Sequence, residues 1–145
     1  MAEIVVVGVD DSDNAGHALE WAIGEATLRG ATLRIVCAFE SPIMTMGLGT
    51  AFGAGPPMVV DPDVIEATAK EVADRAAARV HGVPVEVVAK VDRPGDALVG
   101  AAADAALLVV GTRGHSGAAR LLLGSVSNFV VHHATCPVVV VPSRE

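Results

Sequence analysis

The chain alternates between two hydrophobic rhythms. Residues 4–9, IVVVGV, are apolar at nearly every position, the pattern of a strand covered on both faces. Asp10, Asp11 and Ser12 break that run, and Ala15, Ala18, Leu19, Ala22, Ile23 and Ala26 then recur with a 3.6-residue period. Ser12 or Asp13 is the expected N-cap of this helix, and Gly30 its stop. Thr32 to Phe39 reads as the second strand, and the segment 41–60 that follows is irregular and rich in Gly, Met and Pro. Asp61-Pro62-Asp63 then supplies a cap, a proline at the first helical position and an acid in the first turn, so a helix is expected to about His81, ended by Gly82. Val83 to Val91 alternates as a third strand, and Arg93-Pro94-Gly95-Asp96 opens a short alanine-rich helix. Leu107 to Val110 is the fourth strand, ending at Gly111. Ser125 to His133 is the last helix, and Val138 to Val141 the fifth strand, placed at an edge by Pro137.

The order βαβαβαβαβ argues an α/β domain with a parallel sheet and helices on both faces. At 145 residues this is one domain, 1–145, without a visible repeat or linker. In such sheets ligands bind beyond the C-terminal strand ends, where the winding direction reverses. With a flavodoxin-like strand order, that crevice brings Asp10 and Gly111 face to face.

Composition narrows the partners. Apolar residues make up 52% of the chain, mostly Ala and Val, with one Trp, three Phe and no Tyr, which suits strands under close-packed helices. The formal net charge is −7 and the only lysines are Lys70 and Lys90. With no basic stripe and no aromatic stacking platform, neither nucleic acid nor a membrane surface is an expected partner. No apolar stretch is long enough to span a bilayer and no signal peptide is evident, so a cytoplasmic location is expected. Cys37 and Cys136 lack metal-ligand or CxxC spacing and read as two buried, reduced thiols.

The stretch TRGHSGAARLLLGSVSNF, after Gly111, carries the candidate chemistry. Its spacing is Gly111-x2-Gly114-x9-Gly124-Ser125. Glycine past a strand lets a ligand approach the backbone. At the start of the last helix, the amides of Ser125, Val126 and Ser127 lack intrahelical acceptors, and the helix dipole there amounts to about half a positive charge. Those amides, with the Ser125 and Ser127 hydroxyls, form an expected phosphate cradle, to which Arg113 and Arg120 could add charge. The competing reading is that the glycines only shape a crossover loop and Ser125 only caps a helix. The loop is neither a Walker A motif, since no Gly-Lys pair exists, nor GxGxxG.

These features resemble the universal stress protein family, in its nucleotide-binding, ATP-type subgroup. The resemblance covers nearly the whole chain and rests on Val-Gly-Val-Asp-Asp-Ser at 7–12, Gly-Thr-Arg-Gly at 111–114, Gly-Ser-Val-Ser at 124–127 and Cys-Pro-Val-Val-Val-Val at 136–141. Family members without the glycine-serine signature generally do not bind ATP. The resemblance implies a Rossmann-like, adenine nucleotide alpha hydrolase-like sheet in the order 3-2-1-4-5, a homodimer through the last strand, and ATP with a divalent metal, Mg or Mn. Carried over by position, Val9 and Asp10 line the adenosine side, with Asp10 also a candidate metal partner through water. Backbone near Cys37 and Ala38 meets the adenine edge. Gly111, Arg113 and Gly114 flank ribose and phosphates, and Gly124, Ser125, Val126 and Ser127 bind the phosphate chain.

Several residues keep two readings. Asp10 is a helix-start acid or a ligand group, and Asp11 a solvent-facing or loop-stabilising residue. His115 is a phosphate contact or a solvated loop residue, and His132-His133 near a helix C-terminus a dipole partner or a surface pair. Segment 41–60 is a lid or a disordered loop. Function is a nucleotide-sensing regulator of the stress response, a slow ATPase with Asp10 or His115 as candidate base, a cyclic-AMP binder, or a structural member that keeps the loop without using it. No catalytic residue is assigned.

Overall fold

A computed structural model describes residues 2–41, 61–112 and 123–142. Five strands, β1 (Ile4–Gly8), β2 (Thr32–Phe39), β3 (Val85–Val91), β4 (Leu107–Gly111) and β5 (Val138–Val141), alternate with four helices in these residues. The helices are α1 (Asp13–Arg29), α2 (Pro62–Ala77), α3 (Pro94–Ala101) and α4 (Ser125–His133). The strands form one parallel sheet in the order β3-β2-β1-β4-β5. This is the order the resemblance implies.

Side chains along each strand point alternately to two layers. Val5, Val7, Leu33, Ile35, Cys37, Leu107 and Val109 pack on one face against Ala18, Leu19, Ala22 and Ala26 of α1 and Ala69, Val72, Ala73 and Ala76 of α2. Val6, Val36, Ala38, Leu108 and Val110 pack on the other face against Ala97 and Leu98 of α3 and Val130 of α4. The central strands are therefore buried on both sides, which is why their sequence is continuously apolar. No described helix is long and apolar enough to cross a membrane.

Local signals set most boundaries. Ser12 caps α1 by accepting from the Ala15 amide at 3.1 Å. Gly30 ends α1 in the left-handed conformation, φ 62°, with Ala31 N–H donating to Ala26 O at 2.9 Å. Asp61 caps α2 through the Asp63 amide, with Pro62 at the first helical position. α2 ends at Ala77, short of the expected His81, and β3 begins at Val85 rather than Val83. Gly82 at φ 85° and Pro84 fill the gap with a turn that neither element can enter.

Arg34 of β2 ties α3 to the sheet. Its guanidinium donates to Glu86 at 2.7 Å, to Asp104 at 2.7 Å and to the Ala101 carbonyl at 2.7 Å near the end of α3. The hydrogen bond from Arg34 holds the exposed Asp104 carboxyl below the usual carboxylate range. The opposite end of α3 is thereby left facing the C-terminal ends of the strands.

Candidate functional site

Where β1 and β4 end side by side, the chain leaves in opposite directions, to α1 from one strand and toward α4 from the other. The register Val5↔Leu107, Val6↔Leu108, Val7↔Val109 brings both strand ends to the same level. Helices on opposite layers diverge from this point and leave a crevice. A cavity of about 290 Å³ lies there.

Its walls differ in chemistry. Val36, Ala38 and Phe39 from β2, with Pro94 and Leu98 from α3, make an apolar side. Gly8, Val9 and Asp10 follow β1, Val110 and Gly111 close β4, Ala15 comes from α1, and Gly124, Ser125, Val126 and Ser127 bring the start of α4. Eight of the ten sequence-expected positions, Val9, Asp10, Ala38, Gly111, Gly124, Ser125, Val126 and Ser127, thus line one cavity. Arg113, Gly114, His115 and Arg120 lie outside the described residues, as does nearly all of the 41–60 segment.

Backbone alternation decides which strand amides reach the crevice. Thr32 N–H donates to Glu3 O and Val9 N–H to Val36 O, so even-numbered residues of β2 face β1. Leu33 N–H donates to Pro84 O and Asp92 N–H to Phe39 O, so odd-numbered ones face β3. The Ala38 N–H and C=O consequently point to the β1 side, one step past the Val9–Val36 bond, where β1 has ended. Cys37 does not line the cavity. Its backbone faces β3 and its side chain is fully buried in the opposite layer, so of the pair named from the resemblance only Ala38 is presented.

Asp10 is held in place by its successor. One carboxylate oxygen accepts from Ser12 N–H at 3.0 Å and Ser12 Oγ–H at 2.6 Å. Asp11 makes this turn possible by adopting φ 70°, a left-handed conformation that Asp tolerates better than most residues. Its carboxylate faces solvent and meets the exposed Arg75 of α2 at 3.4 Å. Asp10 therefore both braces the start of α1 and borders the cavity.

At α4, Gly124 is the N-cap with an extended backbone, φ −66° and ψ 169°, and no side-chain cap. Asn128 N–H is the first amide bonded within the helix, to Gly124 O at 2.9 Å. The amides of Ser125, Val126 and Ser127 precede it at the positive end of the helix dipole, and these three residues border the cavity. Ser127 departs from the expected cradle. It is 2% exposed, and its hydroxyl donates inward to Thr112 O and Gly124 O, each at 3.1 Å. Among the described residues no cluster of three or more His, Cys, Asp or Glu is placed to hold a metal.

Ala15, Val36, Phe39, Pro94, Leu98 and Val110 complete the apolar lining with no sequence signal that sets them apart as site residues, and Gly8 lies within the motif at 7–12. Nothing distinguishes a cavity wall from a core residue in a string of Val, Leu and Ala. Pro94 at the start of α3 is the one position with a local signal.

The chain spans about half the length of the curated relatives it matches. It is 37% identical over 139 residues to a universal stress protein of Mycobacterium tuberculosis, covering 94% of this chain and 44% of that one. It is 31% identical over 144 residues to one of Mycolicibacterium smegmatis, covering 94% and 47%. Among solved structures, a universal stress protein of Archaeoglobus fulgidus in complex with dAMP superposes with a TM-score of 0.63 at 29% identity, covering 97% of each chain. A universal stress protein in complex with cAMP superposes with a TM-score of 0.58 at 32% identity, covering 96% of this chain and 95% of that one. The universal stress protein family matches residues 1–142, and with this strand order and this crevice the chain belongs to that family.

Proposed function

We propose that the chain binds ATP in the β1/β4 crevice and acts as a nucleotide-sensing regulator of a stress response. The observation that carries this reading is the gathering of Ala38, Asp10, Gly111 and the first residues of α4 around one cavity. The volume suits a nucleoside, at the small end of ligand pockets, which run upward from about 300 Å³. The base lies against the apolar wall of Val36, Ala38 and Leu98. The Ala38 N–H donates to adenine N1 and its C=O accepts from the exocyclic N6 amine. Guanine presents a donor at N1 and an acceptor at O6, the reverse polarity. Asp10 faces the ribose, and the phosphate chain runs onto Ser125, Val126 and Ser127 N–H. Charge-assisted hydrogen bonds are worth about 1.5–3 kcal/mol each, so three amides support micromolar affinity after the cost of association. Asp10 is the residue that would hold Mg or Mn, through water.

The relatives solved with dAMP and cAMP support an adenine ligand here and leave its phosphate pattern to be measured. The regulatory role includes a homodimer through β5 and a cytoplasmic setting. The outer edge of β5 supports the dimer: odd residues bond to β4, so Val138 and Val140 turn their N–H and C=O outward.

Denaturing protein purified without added nucleotide and analysing the released small molecules tests occupancy. Calorimetric titration with ATP, cAMP and GTP tests preference. The expected outcome is an adenine nucleotide in the extract and micromolar ATP affinity, with GTP far weaker. Absence of heat and of protection at millimolar ATP would falsify the reading. Phosphate release over hours, with and without magnesium, separates a sensor from a slow ATPase.

A further inference from the structure

We infer that Ser127 is a positioning residue for the anion site: its hydroxyl latches the end of β4 to the start of α4 and is spent there, so that backbone amides, and not this side chain, meet the phosphates. This inference rests on the nucleotide reading above and assigns Ser127 a role different from that of a phosphate ligand.

The hydroxyl is almost wholly buried, and it has one proton to share between Thr112 O and Gly124 O, both at 3.1 Å. Thr112 O also accepts from Gly124 N–H at 2.6 Å, and Gly124 O from Asn128 N–H at 2.9 Å. Residues 112, 124 and 127 are therefore knitted into one cluster at the base of the glycine-rich crossover. The physical consequence concerns carbonyl dipoles. A carbonyl oxygen turned toward an anion repels it, and the two carbonyls held here belong to Gly124, the cap residue of this cradle, and to Thr112, bonded to the Gly124 N–H. Donors that hold them inward leave the amides of Ser125, Val126 and Ser127 as the groups an anion meets. The hydrogen bonds also fix the direction in which α4 points its positive end.

The test compares Ser127→Ala with Ser127→Thr, which restores the hydroxyl. ATP and adenosine are titrated into each protein, because adenosine fills the base and ribose region and carries no phosphate. Amide exchange at Gly124 is followed in the nucleotide-free proteins. Ser127→Ala should weaken ATP about tenfold and adenosine less than about threefold, and speed Gly124 exchange about tenfold, on the scale of one lost hydrogen bond. Ser127→Thr should return all three values toward wild type. Where the alanine variant is too unstable to titrate, Ser127→Cys, similar in size with a weaker donor, carries the same comparison. Unchanged ATP affinity in Ser127→Ala overturns the inference, as does equal loss of ATP and adenosine, or unaltered Gly124 exchange. A wild-type protein that takes neither ATP nor adenosine sinks the nucleotide reading instead, and the latch is then decided by Gly124 exchange alone.

Discussion

Cys37 and Cys136 show how position alone sets the chemistry of one residue type. Cys37 is fully buried, and its thiol is pushed up to about 12, first by burial and then by the negative charges of Asp10 and Asp11. A thiol held so far above its ordinary range forms almost no thiolate near neutrality and is a poor nucleophile. Cys136 sits after α4 at the approach to β5 and is only partly buried, which corrects the expectation of two buried thiols. Burial raises its pKa as well. Iodoacetamide at about pH 8 should therefore modify Cys136 and spare Cys37 until the protein is denatured, as read by peptide mass spectrometry. Rapid labelling of native Cys37 would show that the α1 side of the sheet opens. Ser127 follows the same logic: a hydroxyl that looks like a ligand in the sequence GSVS is, in place, a buried donor to two carbonyls.

The elements meet the site through close packing. A Cβ on Gly95 of α3 would lie 2.6 Å from Cδ1 and 2.9 Å from Cγ of Phe129 in α4. The Phe129 ring cannot easily yield, because it stacks on His133 with centroids 4.1 Å apart. Pro94 and Leu98 of α3 and Ser125 of α4 border the same cavity, so this contact sets the spacing of two of its walls. Gly95→Ala should destabilise the protein by about 1–3 kcal/mol in urea denaturation, the usual range for overpacking. It should weaken ATP as well, and Phe129→Leu in the same chain should recover part of both. A Gly95→Ala protein with wild-type stability would mean that the two helices are free to slide apart. The Arg34 pin at the far end of α3 makes such sliding costly, since it anchors the Ala101 carbonyl to β2.

At the scale of the whole molecule, β5 is an edge strand of four valines, each only half-buried. Leu108 N–H donates to Pro137 O and Thr112 N–H to Val141 O, so the β4 ladder uses the odd residues. Val140→Pro removes an outward amide while leaving that ladder intact. If copies of the chain pair through β5, this variant should sediment as a monomer at concentrations where wild type is a dimer. An unchanged sedimentation coefficient would move the interface elsewhere. The sequence by itself determined the element order, the helix ends at Gly30 and Asp61, the start of α1 to within Ser12 or Asp13, and the two-sided burial of the central strands. These are short-range effects, written in the 3.6 and 2.0 periods and in the backbone preferences of Gly, Pro, Ser and Asp. It also put forward Asp10, Gly111 and Gly124 to Ser127 as candidates, from glycine placed after a buried strand and before a helix, a pattern that a crossover loop uses as well. Only the tertiary structure decided that Ala38 and not Cys37 faces the crevice. That follows from which neighbour each strand residue bonds to, a property of sheet order. It alone drew the apolar cavity wall from residues that read as core, and turned the Ser127 hydroxyl inward, because burial and hydrogen-bond direction are set by distant parts of the chain brought into contact.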